Sequence, residues 1–110
     1  MDLSYEVRDS YAEIKAAGRL NMVSAPKLRE FVADVVASGS SRIVVNLEDT
    51  AFMDSSGLGA LIGCLKAARQ AGGDLRIAAV QPQVKMVLEL TSMDRVLTSY
   101  ATAEEAFGND

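Results

Sequence analysis

The amino-acid sequence predicts an α/β domain on a small open mixed sheet, largely parallel, of about five strands with about four helices. Three observations carry that prediction. Two short runs at the N-terminus place an apolar residue at every second position. Beyond them, stripes of helical period alternate with compact apolar runs, and glycine, serine or proline marks the joins. The 110 residues suit one domain over 1–110, and 49% hydrophobic with 24% charged residues is an ordinary globular balance.

Leu3-Ser4-Tyr5-Glu6-Val7-Arg8 alternates apolar and polar, Asp9-Ser10 supplies a turn, and Tyr11 to Ala16 alternates again. That pattern predicts a hairpin with one buried and one wet face. Gly18 ends it. Ser24 is placed as an N-cap with Pro26 in the first helical turn, and Leu28, Phe31, Val32, Val35 and Val36 then form one helical stripe up to Ser38-Gly39. Arg42 to Leu47 is β-branched and almost continuously apolar, as a strand covered on both faces requires. A second helix is predicted from about Ser55 to Ala71, with Leu58, Leu61, Ile62 and Leu65 as its stripe. Asp74 to Val80 reads as a strand with Leu75, Ile77 and Ala79 on one side. A third helix follows Pro82, burying Val84, Val87, Leu88 and Thr91; Val96 to Tyr100 makes a last short strand, and Thr102 caps a terminal helix over 103–107. The resulting order is β-β-α-β-α-β-α-β-α. The wet faces of the first two strands imply that helices cover the two sides of the sheet unevenly.

Composition removes several functions. A net charge of -4 argues against direct nucleic-acid binding, and no run of about 18 apolar residues offers a membrane span. Met1 to Glu6 lacks the basic and apolar regions of a signal peptide. One cysteine, Cys64, excludes an internal disulfide, and a cytoplasmic setting is expected. The absence of histidine removes Ser-His and Cys-His nucleophile pairs and imidazole metal sites. No metal, no cofactor and no enzymatic activity are expected.

The informative stretch is Phe52-Met53-Asp54-Ser55-Ser56-Gly57-Leu58-Gly59-Ala60-Leu61. It follows the most apolar strand and opens a helix, so it is placed at the carboxyl edge of the sheet, where open α/β folds bind ligands and partners. With Ser55 as N-cap, its hydroxyl turns inward and Ser56 begins the helix with a free hydroxyl. A phosphate there adds about -1.5 to -2 charges, partly accommodated by the helix N-terminus but costly inside any partner surface. The plainer alternative is that both serines only cap the helix.

Gly57, Gly59 and Gly63 do not fit a dinucleotide fingerprint, since Ile62 stands at the sixth position, and there is no P-loop Gly-Lys-Ser/Thr. Together with Ala60 and Cys64 they are expected to keep the helix thin for a close approach. Cys64 reads as a small core residue, Met86, Leu90 and Met93 as residues finishing the core, and Lys27, Arg29, Glu30 and Asp34 as a solvated helix face.

Asp54-Ser55-Ser56-Gly57-Leu58-Gly59-Ala60-Leu61 resembles the signature of the STAS domain in its stand-alone anti-sigma factor antagonist form, over nearly the whole chain. Gly18-Arg19-Leu20-Asn21 stands where that family has a Gly-Glu-Leu-Asp-like turn. The resemblance implies a partner switch. The unmodified protein binds an anti-sigma factor, a serine kinase of the histidine-kinase-like ATPase fold, and frees a sigma factor. Phosphorylation at Ser56 ends the complex, and a PP2C-type phosphatase resets it. Asn21, Asp54, Ser55, Ser56, Gly57, Leu58 and Gly59 are then the partner-binding residues. Asn21 keeps hydrogen bonding without the family's charge, and Arg19 reverses the local sign. The rival readings are a STAS accessory subunit of a lipid-transport ATPase or stressosome-like assembly, and a small nucleotide-binding or hydrolytic protein.

Overall fold

The structure is a computed structural model that describes residues 1–108. Strands β1 (Asp2–Val7) and β2 (Ala12–Leu20) form the antiparallel hairpin, with Asp2 opposite Ala17 and Val7 opposite Ala12. Helix α1 (Ala25–Ala37) leads to β3 (Arg42–Asn46), which lies parallel to β2. β4 (Thr50–Met53), α2 (Ser55–Gln70), β5 (Asp74–Ala78), α3 (Pro82–Leu90), β6 (Ser99–Tyr100) and α4 (Ala103–Phe107) complete the chain. The described strands form a mixed, mostly parallel open sheet in the order β1-β2-β3-β5-β6, with β4 also paired to β2.

The strand count is six against the expected five, because β4 is a separate strand. It is only four residues long and starts just after the Leu47–Thr50 turn, so it carries no readable alternation. β2 is long enough to serve two parallel neighbours in turn. Ala12–Lys15 pairs with β3 and Gly18–Leu20 with β4, the β4 register shifting between Gly18 and Arg19. Gly18 makes that shift possible at φ +119°, a conformation that L side chains rarely adopt, while its N–H donates to Asp49 O at 2.9 Å.

Strand order advances in one direction, so α1, α2 and α3 all pack on one face. Ile14, Ile43 and Ile77 of the sheet meet Leu28 and Val32 of α1, Leu61 and Leu65 of α2, and Val84 and Leu88 of α3 in a single core. On the other face α4 is the one helix among the described residues, covering Val44 and Ala78 through Ala103, Ala106 and Phe107, with Tyr11 and Tyr100 beside it. Phe107 stacks on Tyr11 at 5.8 Å and lies under the guanidinium of Arg76 at 4.3 Å. The uneven cover expected from β1 and β2 is therefore present. Val44 is buried by a five-residue helix, which explains why β3 reads as apolar on both sides.

Several side chains depart from expectation. Met86 and Leu90 are exposed rather than finishing the core, because α3 has only Val84 and Leu88 fully turned to the sheet. Thr91 is exposed and its hydroxyl donates back to Val87 O at 2.7 Å. Ala79 lies outside β5 at φ +58°, so Ala78 rather than Ala79 is the last buried position there. Tyr5 and Val7 are exposed because β1 is the edge strand, and α1 reaches it only in part, through the edge-to-face contact of Phe31 with Tyr5 at 5.8 Å. Among the described residues no helix is long and apolar enough to cross a membrane, and no cluster suited to a metal ion occurs.

Glu13 is the one acidic side chain buried among the described residues, on the face that α4 leaves open. Its carboxylate accepts from Arg8 and from Asn46 Nδ2, each at 3.0 Å. Burial pushes its pKa up, but the hydrogen bonds from Asn46 and Arg8, with Lys15 nearby, outweigh it and hold the group below its ordinary 4.5. A folded-state value below the unfolded one stabilises the protein above the unfolded value, and the contribution is lost as pH falls through the folded value. Urea unfolding at neutral pH and at about pH 4 or below should show wild type losing more stability than Glu13→Gln, which cannot titrate. Equal losses in the two proteins would overturn this role for Glu13.

Candidate functional site

The carboxyl ends of β2 and β4 meet at the start of α2. Asp54 leaves β4 in an extended conformation (φ -108°, ψ -172°) and is the N-cap of α2, its Oδ1 accepting from Gly57 N–H at 2.9 Å. Asp54 N–H donates to Leu20 O at 3.2 Å, and Leu58 N–H donates to Asp54 O at 2.9 Å. The cap is thus Asp54 and not Ser55. Aspartate accepts from the third helical N–H as well as serine does, so the helix starts at Ser55 as expected while its cap falls one residue earlier.

That shift changes the two serines. Ser55 is the first helical residue and is exposed; Ser56 is the second and is half-buried. The expectation that Ser55 turns inward while Ser56 alone faces solvent does not hold. Neither hydroxyl bonds to another described residue, and the N–H groups of Ser55 and Ser56 likewise have no acceptor among them. These are the orphan donors of a 16-residue helix, whose N-terminus carries roughly half a positive charge.

Gly57 is where the helix touches the sheet. A Cβ there would lie 2.2 Å from Leu20 O and 2.7 Å from Leu20 Cγ, so only glycine fits. Gly59 and Gly63 are different: a Cβ on either would meet only the Arg29 side chain, at 3.8 and 3.7 Å. The close approach expected of three glycines is made by Gly57 alone. Leu58, expected on the partner surface, is 7% exposed and belongs to the core, since the helical turn that exposes Ser55 directs Leu58 inward. Cys64 is buried, and burial pushes its thiol up to about 11, so it is the inert core residue expected.

Asn21 directly follows Leu20, which puts its turn on the same edge. Its Oδ1 accepts from Val23 N–H at 3.0 Å and Ser24 N–H at 3.2 Å. Ser24 Oγ accepts from Asn21 N–H at 2.9 Å and donates to Arg19 O at 2.6 Å. Ser24 is the N-cap by position, but its side chain makes no capping bond, because the Arg19 carbonyl and Asn21 occupy it. Asn21 therefore builds the turn with its side-chain oxygen. What the turn presents outward is Met22 and Val23, 72% and 79% exposed. Sequence reading missed this pair, although two apolar residues inside a polar turn were a usable signal. Asn21→Ala should cost about 1 kcal/mol in chemical denaturation, whereas Asn21→Asp, which accepts the same two bonds, should cost well under half of that. Equal losses would show that the turn does not depend on this acceptor.

A six-stranded mixed sheet with α1–α3 on one face, and a Ser-Ser-Gly turn capped by aspartate at its carboxyl edge, define a small open α/β domain with its candidate site at a helix start. The chain belongs to the STAS domain family, which matches residues 2–106. Among curated relatives it is 35% identical over 95 residues to the anti-sigma-B factor antagonist of Staphylococcus aureus (strain NCTC 8325 / PS 47), covering 84% of this chain and 88% of that one. Among solved structures it resembles a candidate anti-sigma factor antagonist from Thermotoga maritima, with a TM-score of 0.88 and 28% identity over 96% of this chain and 92% of that one. An anti-sigma factor antagonist from Mycobacterium paratuberculosis gives a TM-score of 0.85 at 25% identity, over 97% and 91% of the two chains.

Proposed function

We propose that this protein is a cytoplasmic anti-sigma factor antagonist. Unphosphorylated, it binds an anti-sigma factor that is itself a serine kinase, and so releases a sigma factor for transcription. Phosphorylation at Ser56 breaks the complex, and a PP2C-type phosphatase restores it. The protein is ligand and substrate in this scheme, while the kinase brings the nucleotide and the chemistry. The observation that carries the reading is the start of α2, in a chain 35% identical to an anti-sigma-B factor antagonist. Two hydroxyls and two free backbone donors lie there on one partner-accessible edge, beside the carboxylate of Asp54.

A phosphate on Ser56 sits at the second helical position, where the free N–H groups and the helix dipole favour negative charge. The fold tolerates the modification for that reason. A partner packed on the same edge does not, because it must desolvate the dianion next to Asp54. Incubation with the kinase and ATP should add one phosphate, assigned to Ser56 by fragmentation mass spectrometry and absent from Ser56→Ala. Label confined to Ser55, or persisting in Ser56→Ala, would move the switch to the more exposed hydroxyl.

A further inference from the structure

β4 has a strand neighbour on one side only among the described residues. On that side Asp54 N–H reaches Leu20 O. Backbone groups alternate along a strand, so the N–H and C=O of Met53 point the other way, where they need partners of their own. Gln83, in the first turn of α3, supplies both. Its Oε1 accepts from Met53 N–H at 2.8 Å, and its Nε2 donates to Met53 O at 3.0 Å. The carboxamide stands where the peptide group of the missing strand would be. Two residues earlier, Gln81 Nε2 donates to Glu48 O in the middle of the β3–β4 connection. A four-residue strand with one neighbour is thereby tied to a helix on its free side, one residue before the cap of α2.

We propose that Gln83 is a positioning residue for the serine turn. It holds the end of β4 so that Asp54 caps α2 and the Ser55–Ser56 edge keeps one conformation. Without it, Met53 loses two hydrogen bonds and the strand end frays, taking Asp54 with it. A partner then finds the turn correctly placed only part of the time, and its apparent affinity falls by that fraction. The functional half of this proposal rests on the assigned role of Ser56; the structural half does not.

Amide hydrogen exchange of the purified protein separates the two. In Gln83→Leu, exchange at Met53, Asp54 and Gly57 should accelerate about tenfold or more while Val45 and Leu61 stay within about twofold of wild type. Gln83→Glu keeps the acceptor and loses the donor, so it should fall between. Turn amides exchanging at the wild-type rate, or all amides accelerating together, overturn the proposal, the second outcome marking a purely structural role. With the kinase that phosphorylates wild type, Gln83→Leu should show a several-fold higher KM at nearly unchanged kcat. An unchanged KM alongside selective exchange overturns the functional half. Failure of wild type to be phosphorylated at all refutes the role of Ser56, while the exchange rates still judge Gln83.

Discussion

Ser56→Asp is expected to fold slightly more stably than wild type and to bind the kinase at least about 100-fold more weakly, roughly 2.7 kcal/mol. The two effects have opposite signs for one physical reason. An anion at the second position of α2 faces the free N–H groups of Ser55 and Ser56, which favours the helix by about 0.3–1 kcal/mol. The same anion would be buried by an interface together with the neighbouring carboxylate of Asp54 at the cap. Leaving one charge unpaired in an interface costs about 2–5 kcal/mol. Ser56→Ala is expected to bind at wild-type strength and to stay bound in the presence of ATP. Thermal unfolding and a direct binding titration check both halves. Tight binding by Ser56→Asp would rule out charge exclusion as the switch.

Gly57→Ala is expected to lose about 2 kcal/mol or more of stability, although alanine is the better helix former. The added methyl would meet Leu20 O at 2.2 Å and Leu20 C at 2.9 Å, and a strand backbone cannot move aside as a side-chain tip can. Leu20 also accepts from Asp54 N–H and precedes the Asn21 turn, so relief of the clash would displace the whole edge. Gly63→Ala is the internal control. It meets only Arg29 Nε at 3.7 Å and should gain up to about 1 kcal/mol from helix propensity. Comparable melting temperatures for the two variants would contradict the close contact of α2 with β2.

The elements that were legible in the sequence are those with long periodic patterns. α1 and α2 end within a residue or two of expectation because their stripes span about two turns and glycine follows each. β4 was not legible, because four residues cannot display an alternation. Met86 and Leu90 were misjudged for a related reason. Periodicity says that a helix has an apolar face, but only neighbouring elements decide how wide a face is covered, and α3 is a nine-residue helix at the margin of the sheet. Glu13 was invisible as a buried acid, since its partners Arg8 and Asn46 come from a neighbouring turn and strand.

By itself, the sequence determined that Asp54-Ser55-Ser56-Gly57 opens a helix at a sheet edge, because capping residues and glycine are local properties; the strand it leaves is β4 and not the apolar β3 that was expected. Tertiary structure decided what each residue does there. Asp54 takes the cap, which leaves Ser55 more exposed than Ser56 and turns Leu58 into the core. Gly57 is required by a carbonyl 37 residues earlier in the chain, at Leu20, and Met53 is held by an amide 30 residues later, at Gln83. Distances of that kind are set by the packing of β2, β4 and α3 against one another, and no local pattern encodes them.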